Sequence, residues 1–144
     1  MNEAIVKRLE DSFGILAPRG PELVDRFYAK LFSTHPGVRP LFPSTMKEQK
    51  KKLLASVVLV IQNLRQPEKL RQPLIEMGRR HVGYQTEPEH YPVVRDTLVS
   101  VMSEMAGEQW NTQLTADWNG ALDFVSSVML EGQAMEVESA KAAA

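Results

Sequence analysis

Apolar residues in this chain recur at three- and four-residue steps in one segment after another, and prolines or glycines stand where the pattern breaks. That spacing lines one face of an α-helix, whereas a half-buried strand needs strict alternation. Ile5, Leu9, Phe13 and Leu16 mark a first helix, stopped by Pro18 and Gly20. Pro21 suits the first turn of a second, whose stripe is Leu23, Val24, Phe27, Tyr28, Leu31 and Phe32 up to His35-Pro36. A turn-rich connection through Phe42-Pro43 leads to Ser44, which is expected to cap a long helix with Gln49, Leu53, Val57 and Leu64 on its inner face. Ser56 to Ile61 is β-branched enough to read as a strand, but no breaker interrupts Met46 to Leu64, so helix is preferred. Leu70, Leu74, Met77 and His81 follow at steps of four, three and four; Pro73 is expected to restart a shorter helix, closed by Gly83 and Pro88. A helix after Tyr91-Pro92 carries Val94, Leu98, Val101 and Met105 inward and ends at Gly107. The last one is marked by Leu114, Trp118, Ala121, Val125 and Met129. The expected class is all-α with six or seven helices; periodicity alone does not choose between a bundle and other helical arrangements.

The 144 residues suit one domain with one core, and residues 137–144 form a tail that frays or continues a helix. With no cysteine, disulfides, thiolate-bound zinc, iron–sulfur clusters and thiol catalysis are excluded, so a metal needs nitrogen or oxygen ligands. A net charge of −1 offers no drive toward nucleic acid or anionic lipid. No apolar run is long enough for a membrane span, and the acidic start does not resemble a secretory signal, so a cytoplasmic protein is expected.

Of the three histidines, His35 and His90 stand beside prolines at a turn and a helix entrance, and His81 falls on an apolar stripe. A lone inward histidine is more often a core residue bonded to a carbonyl than a ligand. Here Gln49 brings an amide, and Tyr28 a hydroxyl, onto inward faces of other helices. Left unpaired, such groups cost about 1–3 kcal/mol each, and a ligand inside a pocket would satisfy them. Lys50, Lys51 and Lys52 read as a solvated face, and the inward methionines as core.

The run Phe27-Tyr28-Ala29-Lys30-Leu31-Phe32, then His35-Pro36-Gly37-Val38-Arg39-Pro40-Leu41-Phe42, resembles the single-domain haemoglobins and flavohaemoglobin head domains of bacteria. Gly78-Arg79-Arg80-His81 with His90-Tyr91-Pro92-Val93-Val94 is similar to that family's proximal segment, and Trp118 with Ala121 to its last helix. The likeness spans nearly the whole chain, with Tyr28, Phe42, Gln49 and His81 in the family's order. It implies a globin fold of about six to eight helices around one pocket for haem b (iron protoporphyrin IX). It makes His81 the proximal iron ligand, Phe42 the aromatic on the porphyrin, and Tyr28 and Gln49 the distal pair that steadies bound gas. Leu53, Val57, Met77, Tyr91 and Val94 join the cofactor-lining set, and Lys52 or Arg80 would pair with a haem carboxylate.

The implied function is high-affinity, reversible dioxygen binding, with nitric oxide detoxification when a separate reductase restores ferrous iron, since no glycine-rich nucleotide fingerprint occurs. Nitric oxide dioxygenase activity is thus an open question of the resemblance. In the flavohaemoglobins a last-helix carboxylate and a tyrosine like Tyr91 support the proximal histidine; counted from Trp118, that carboxylate position falls on Met135, beside Glu136 and one turn beyond Glu131. A gas-sensing head and a haem-free helical interaction module remain alternative readings.

Overall fold

A computed structural model describes residues 1–143 of the chain. Six α-helices follow one another: α1 Glu3–Leu16, α2 Gly20–Thr34, α3 Lys47–Gln62, α4 Glu68–Gly83, α5 His90–Ala106 and α6 Thr112–Ala143. Short 3-10 turns occupy Ala17–Arg19, Pro36–Leu41 and Gly107–Gln109, and there is no strand among the described residues. The all-α expectation holds, and Ser56 to Ile61 is helical within α3.

Several ends follow from local chemistry. Asn2 caps α1 by accepting a hydrogen bond from the Ile5 amide at 2.9 Å. Pro36 crowds His35 out of the helical region, to φ −133° and ψ 66°, and α2 stops there. Gly107 ends α5 at φ +57°, a conformation that residues with a Cβ seldom adopt.

Two boundaries differ from expectation, and the tail takes the helical of its two expected forms. Ser44 does not cap α3, which begins at Lys47 behind Met46 without a side-chain cap. The Arg39 guanidinium donates to the carbonyls of Phe42, Pro43 and Ser44 at 3.2, 2.9 and 3.3 Å, which holds Ser44 in the connection. Pro73 does not restart a helix either; it sits inside an unbroken α4. Proline removes only the bond to the Lys69 carbonyl, and packing of α4 along α6, the most extensive helix pair, outweighs that loss. The closing alanines extend α6 to Ala143.

The α4–α6 crossing is backbone on backbone. A Cβ at Gly78 would lie 1.9 Å from the Met129 carbonyl oxygen, and one at Gly132 would lie 2.1 Å from that of Ile75. Only glycine admits this approach, and it fixes where α4 delivers the residues that follow Gly78. At the other end of α6, Asp117 is buried and takes both arms of Arg8 from α1 at 2.6 and 3.1 Å, plus the Gln113 amide at 2.9 Å. Beside it Trp118 Nε1 donates to Ser12 Oγ at 3.0 Å. Among the described residues no helix is long and apolar enough to cross a membrane.

Substituting Gly78 or Gly132 by Ala should therefore destabilise by roughly 3 kcal/mol or more through overpacking. Gly120→Ala on the exposed side of α6, where an added Cβ meets nothing within 4 Å, should stabilise by about 0.5–1 kcal/mol; denaturant melts of the three variants check this. The hydrogen bonds from Arg8 hold the Asp117 carboxyl below the usual carboxylate range. Its contribution is present above the unfolded value of about 3.9 and is lost as pH falls through the lower folded value. Asp117→Asn should accordingly melt below the parent at pH 7, with the difference shrinking below about pH 4 in a thermal-melt series.

Candidate functional site

Two adjoining cavities, of about 190 and 310 Å³, open between α3, α4, α5 and the Pro36–Leu41 connection. His81, Thr86, His90 and Val94 line both, so His81 stands at their seam. The first cavity is walled by Leu53, Val57, Met77 and Tyr91, with Trp118 and Met129 of α6 behind; the second is walled by Phe42, Gln49 and Lys52. Together they reach the size of an ordinary small-molecule pocket, roughly 300–1,000 Å³, with an apolar lining and few polar groups.

His81 follows Gly78 by three residues, just past the point where α4 is locked on α6. Its Nδ1 bonds the Met77 carbonyl at 2.5 Å. A carbonyl only accepts, so Nδ1 carries the proton and the Nε2 lone pair is left free. Burial pushes the imidazole below its ordinary pKa, the Met77 bond opposes this, and the Arg80 charge adds to the lowering. The ring is therefore neutral at pH 7, the form that coordinates a metal. Among the described residues no three His, Asp or Glu side chains cluster to hold an ion.

Gln49 reaches the second cavity from α3 and donates its amide to the Tyr28 hydroxyl at 3.2 Å. Tyr28 itself lines neither cavity. It lies one layer behind, its ring edge-on to Phe27 and Phe42 at 4.9 and 5.6 Å and tilted against Phe32 at 5.8 Å. Burial raises its pKa, and because the bond between the two is donated by Gln49, the phenol keeps a proton to give. Phe42 is placed by the Arg39 clamp on its loop, with the guanidinium also stacked 4.9 Å from the Phe32 ring centre.

Of the two cations considered for an anionic group, Lys52 lines the second cavity, and Arg80 is exposed and lines neither. Lys50 pairs with Asp25 at 3.0 Å and Lys51 with Glu48 at 3.6 Å, as a solvated face would. Lys52 has no carboxylate partner among the described residues.

The last-helix position counted from Trp118 needs correction. Met135 is 41% exposed, Glu136 pairs with Arg79 at 3.1 Å, and Glu131 pairs with Arg71 at 3.0 Å. The residue that meets Tyr91 is Gln133, whose Oε1 accepts from the Tyr91 hydroxyl at 2.7 Å. Burial pushes the Tyr91 phenol up to about 12, so it remains the donor. Step-four spacing through Ala121, Val125, Met129 and Gln133 carries this signal in the sequence; a count from one landmark overshot it by two residues. His90, expected only at a helix entrance, and Thr86 also line the site. His90 Nδ1 accepts from the Glu87 amide at 2.9 Å while its ring lines both cavities, a contact that depends on how the loop before α5 folds back. His35 stays in its turn, 3.0 Å from the Thr34 hydroxyl.

The Globin family profile matches residues 25–129. An uncharacterised globin-like protein of Aquifex aeolicus is 26% identical over 130 residues, covering 90% of this chain and 92% of its own. A flavohemoprotein of Pseudomonas aeruginosa is 28% identical over 123 residues, 83% of this chain, which spans only 31% of that longer protein. Among solved structures, a bacterial globin from Campylobacter jejuni superposes with a TM-score of 0.84 at 21% identity, covering 95% of this chain and 99% of that one. An engineered carbene transferase, from a Rhodothermus marinus protein assigned as a nitric oxide dioxygenase, gives 0.87 at 22% identity and 99% coverage of both. These two likenesses show the fold, and with the profile match over most of its length the chain belongs to the globin family.

Proposed function

We propose that this globin carries haem b with His81 Nε2 as the protein ligand to iron, and that it binds dioxygen reversibly and with high affinity. The observation that carries the reading is the neutral imidazole whose Nδ1 is taken by the Met77 carbonyl and whose free nitrogen stands at the seam of two apolar cavities. One imidazole without companion ligands suits a metal that arrives inside its own macrocycle, and the apolar walls suit a flat organic ring. When bound, haem would supply an iron centre able to take a diatomic gas.

The chain's own groups account for the rest. Leu53, Val57, Met77 and Val94 wall an apolar slot, and Phe42 closes it from the loop. Lys52 offers an unpaired cation at the second cavity for a carboxylate of the cofactor. Gln49 presents an amide there, and Tyr28 holds a proton directly behind it. A gas that gains negative charge on binding would draw the Gln49 amide at the cavity wall and, from the layer behind it, the Tyr28 proton. Phe27, Phe32 and Phe42 enclose the phenol and keep water from competing. Two donors favour retention over delivery. That property suits nitric oxide detoxification in the cytoplasm with electrons from a separate reductase; the flavohemoprotein relatives and the structural neighbour assigned as a nitric oxide dioxygenase support this reading.

His81→Ala should abolish stable haem retention, measured as Soret absorbance after gel filtration, and added imidazole should restore it; haem retention equal to the parent would remove His81 as the ligand. Tyr28→Phe should speed dioxygen release by about five- to 150-fold in stopped-flow dissociation, the range for one shielded hydrogen bond. An unchanged rate would deny Tyr28 a part in holding the gas.

A further inference from the structure

The segment after His81 carries a strained turn. Gln85 sits at φ +61°, a left-handed conformation that a residue with a Cβ adopts at a cost. It closes α4 as glycine commonly does, with the Thr86 amide donating back to the His81 carbonyl at 3.2 Å and the Gln85 amide to Val82 at 3.1 Å. Thr86 is therefore bonded directly to the backbone of His81, and five residues later Tyr91 occupies the first turn of α5. Thr86, His90 and Tyr91 all line the cavities.

A single side chain on α6 ties both ends of this segment. Gln133 Nε2 donates to the Thr86 carbonyl at 2.9 Å, and Oε1 accepts from the Tyr91 hydroxyl at 2.7 Å. The Thr86 carbonyl can only accept, so the amide's orientation is fixed, and Tyr91 must be the donor on the other side. A carboxylate could serve Tyr91 but has no proton for Thr86; an apolar residue could serve neither. Gln133 adjoins Gly132, so the helix crossing that places His81 also places the clamp.

The geometry points to Gln133 as a positioning residue: its amide, donating to Thr86 and accepting from Tyr91, locks the Thr86–Tyr91 wall against His81 and so sets how firmly the cofactor is held. The effect on the cofactor rests on the haem-binding reading above; the clamp does not. Two readouts on the purified protein separate them. The first is amide hydrogen exchange across residues 84–91, and the second is the rate at which bound haem b passes to an excess of haem-free acceptor globin. Gln133→Glu, nearly the same shape, should raise exchange in this segment about tenfold and speed haem transfer by a similar factor, the worth of one lost hydrogen bond. Gln133→Leu should do at least as much. Arg71→Ala, which cuts the Glu131 pair between the same two helices, should leave both at the parent values.

If Gln133→Glu matches the parent in exchange, the donated bond to Thr86 does not hold the wall and the proposal fails. If Arg71→Ala reproduces the changes, general loosening of α4 on α6 explains them and the proposal also fails. Exchange that rises with unchanged haem transfer leaves a clamp without influence on the cofactor, which overturns the second half. A parent protein that takes up no haem contradicts the proposed function alone, and the exchange result still decides the clamp.

Discussion

The contact on which the rest depends is the crossing of α4 and α6, where Gly78 lies against the Met129 carbonyl and Gly132 against that of Ile75. No side chain can intervene at either point, so the two helices have one depth and register of approach. His81 comes three residues after one glycine and Gln133 immediately after the other. A purely steric condition on two small residues thereby sets the imidazole at the cavity seam and brings an amide to the loop beyond it. The Arg8–Asp117 pair and the Trp118–Ser12 bond anchor the other end of α6 to α1, which keeps the long helix from pivoting about the crossing.

Polar groups around the cavities are graded by what they can still give. The His81 proton is spent on the Met77 carbonyl, which frees the lone pair. The Tyr91 proton is spent on Gln133, whereas that of Tyr28 is held in reserve behind the Gln49 amide. Lys50 and Lys51 are occupied by carboxylates, and Lys52 is left facing the second cavity. The pocket thus offers one lone pair, one amide and one cation inside apolar walls, with a phenol proton one layer behind, a set matched to a metal macrocycle with acidic side groups.

Much of this was legible in the sequence because helices buried on one face write their periodicity plainly; His81, Gln49, Leu53 and Val57 were found from stripe positions. What escaped was decided by tertiary contacts. Pro73 reads as a break, but the α6 contact carries the helix through it; Ser44 reads as a cap, but Arg39 holds its carbonyl elsewhere. Arg80 adjoins His81 in sequence, yet neighbours on a helix point about 100° apart, and this one faces solvent. Tyr28 falls on an inward stripe without reaching the cavity, because an apolar face does not tell a first layer from a second. Gln133 and His90 depend on a loop that folds back through a left-handed Gln85, two residues beyond the glycine that marks the end of the helix.

The central claim is that the free nitrogen of His81 is the protein's ligand to iron. Resonance Raman spectroscopy of the ferrous, gas-free protein after titration with haem b tests it most directly. The account predicts saturation at one haem per chain and an iron–imidazole stretch that shifts when histidine is labelled with ¹⁵N and disappears in His81→Ala. A stretch that survives that substitution, or a titration that never saturates, would contradict it.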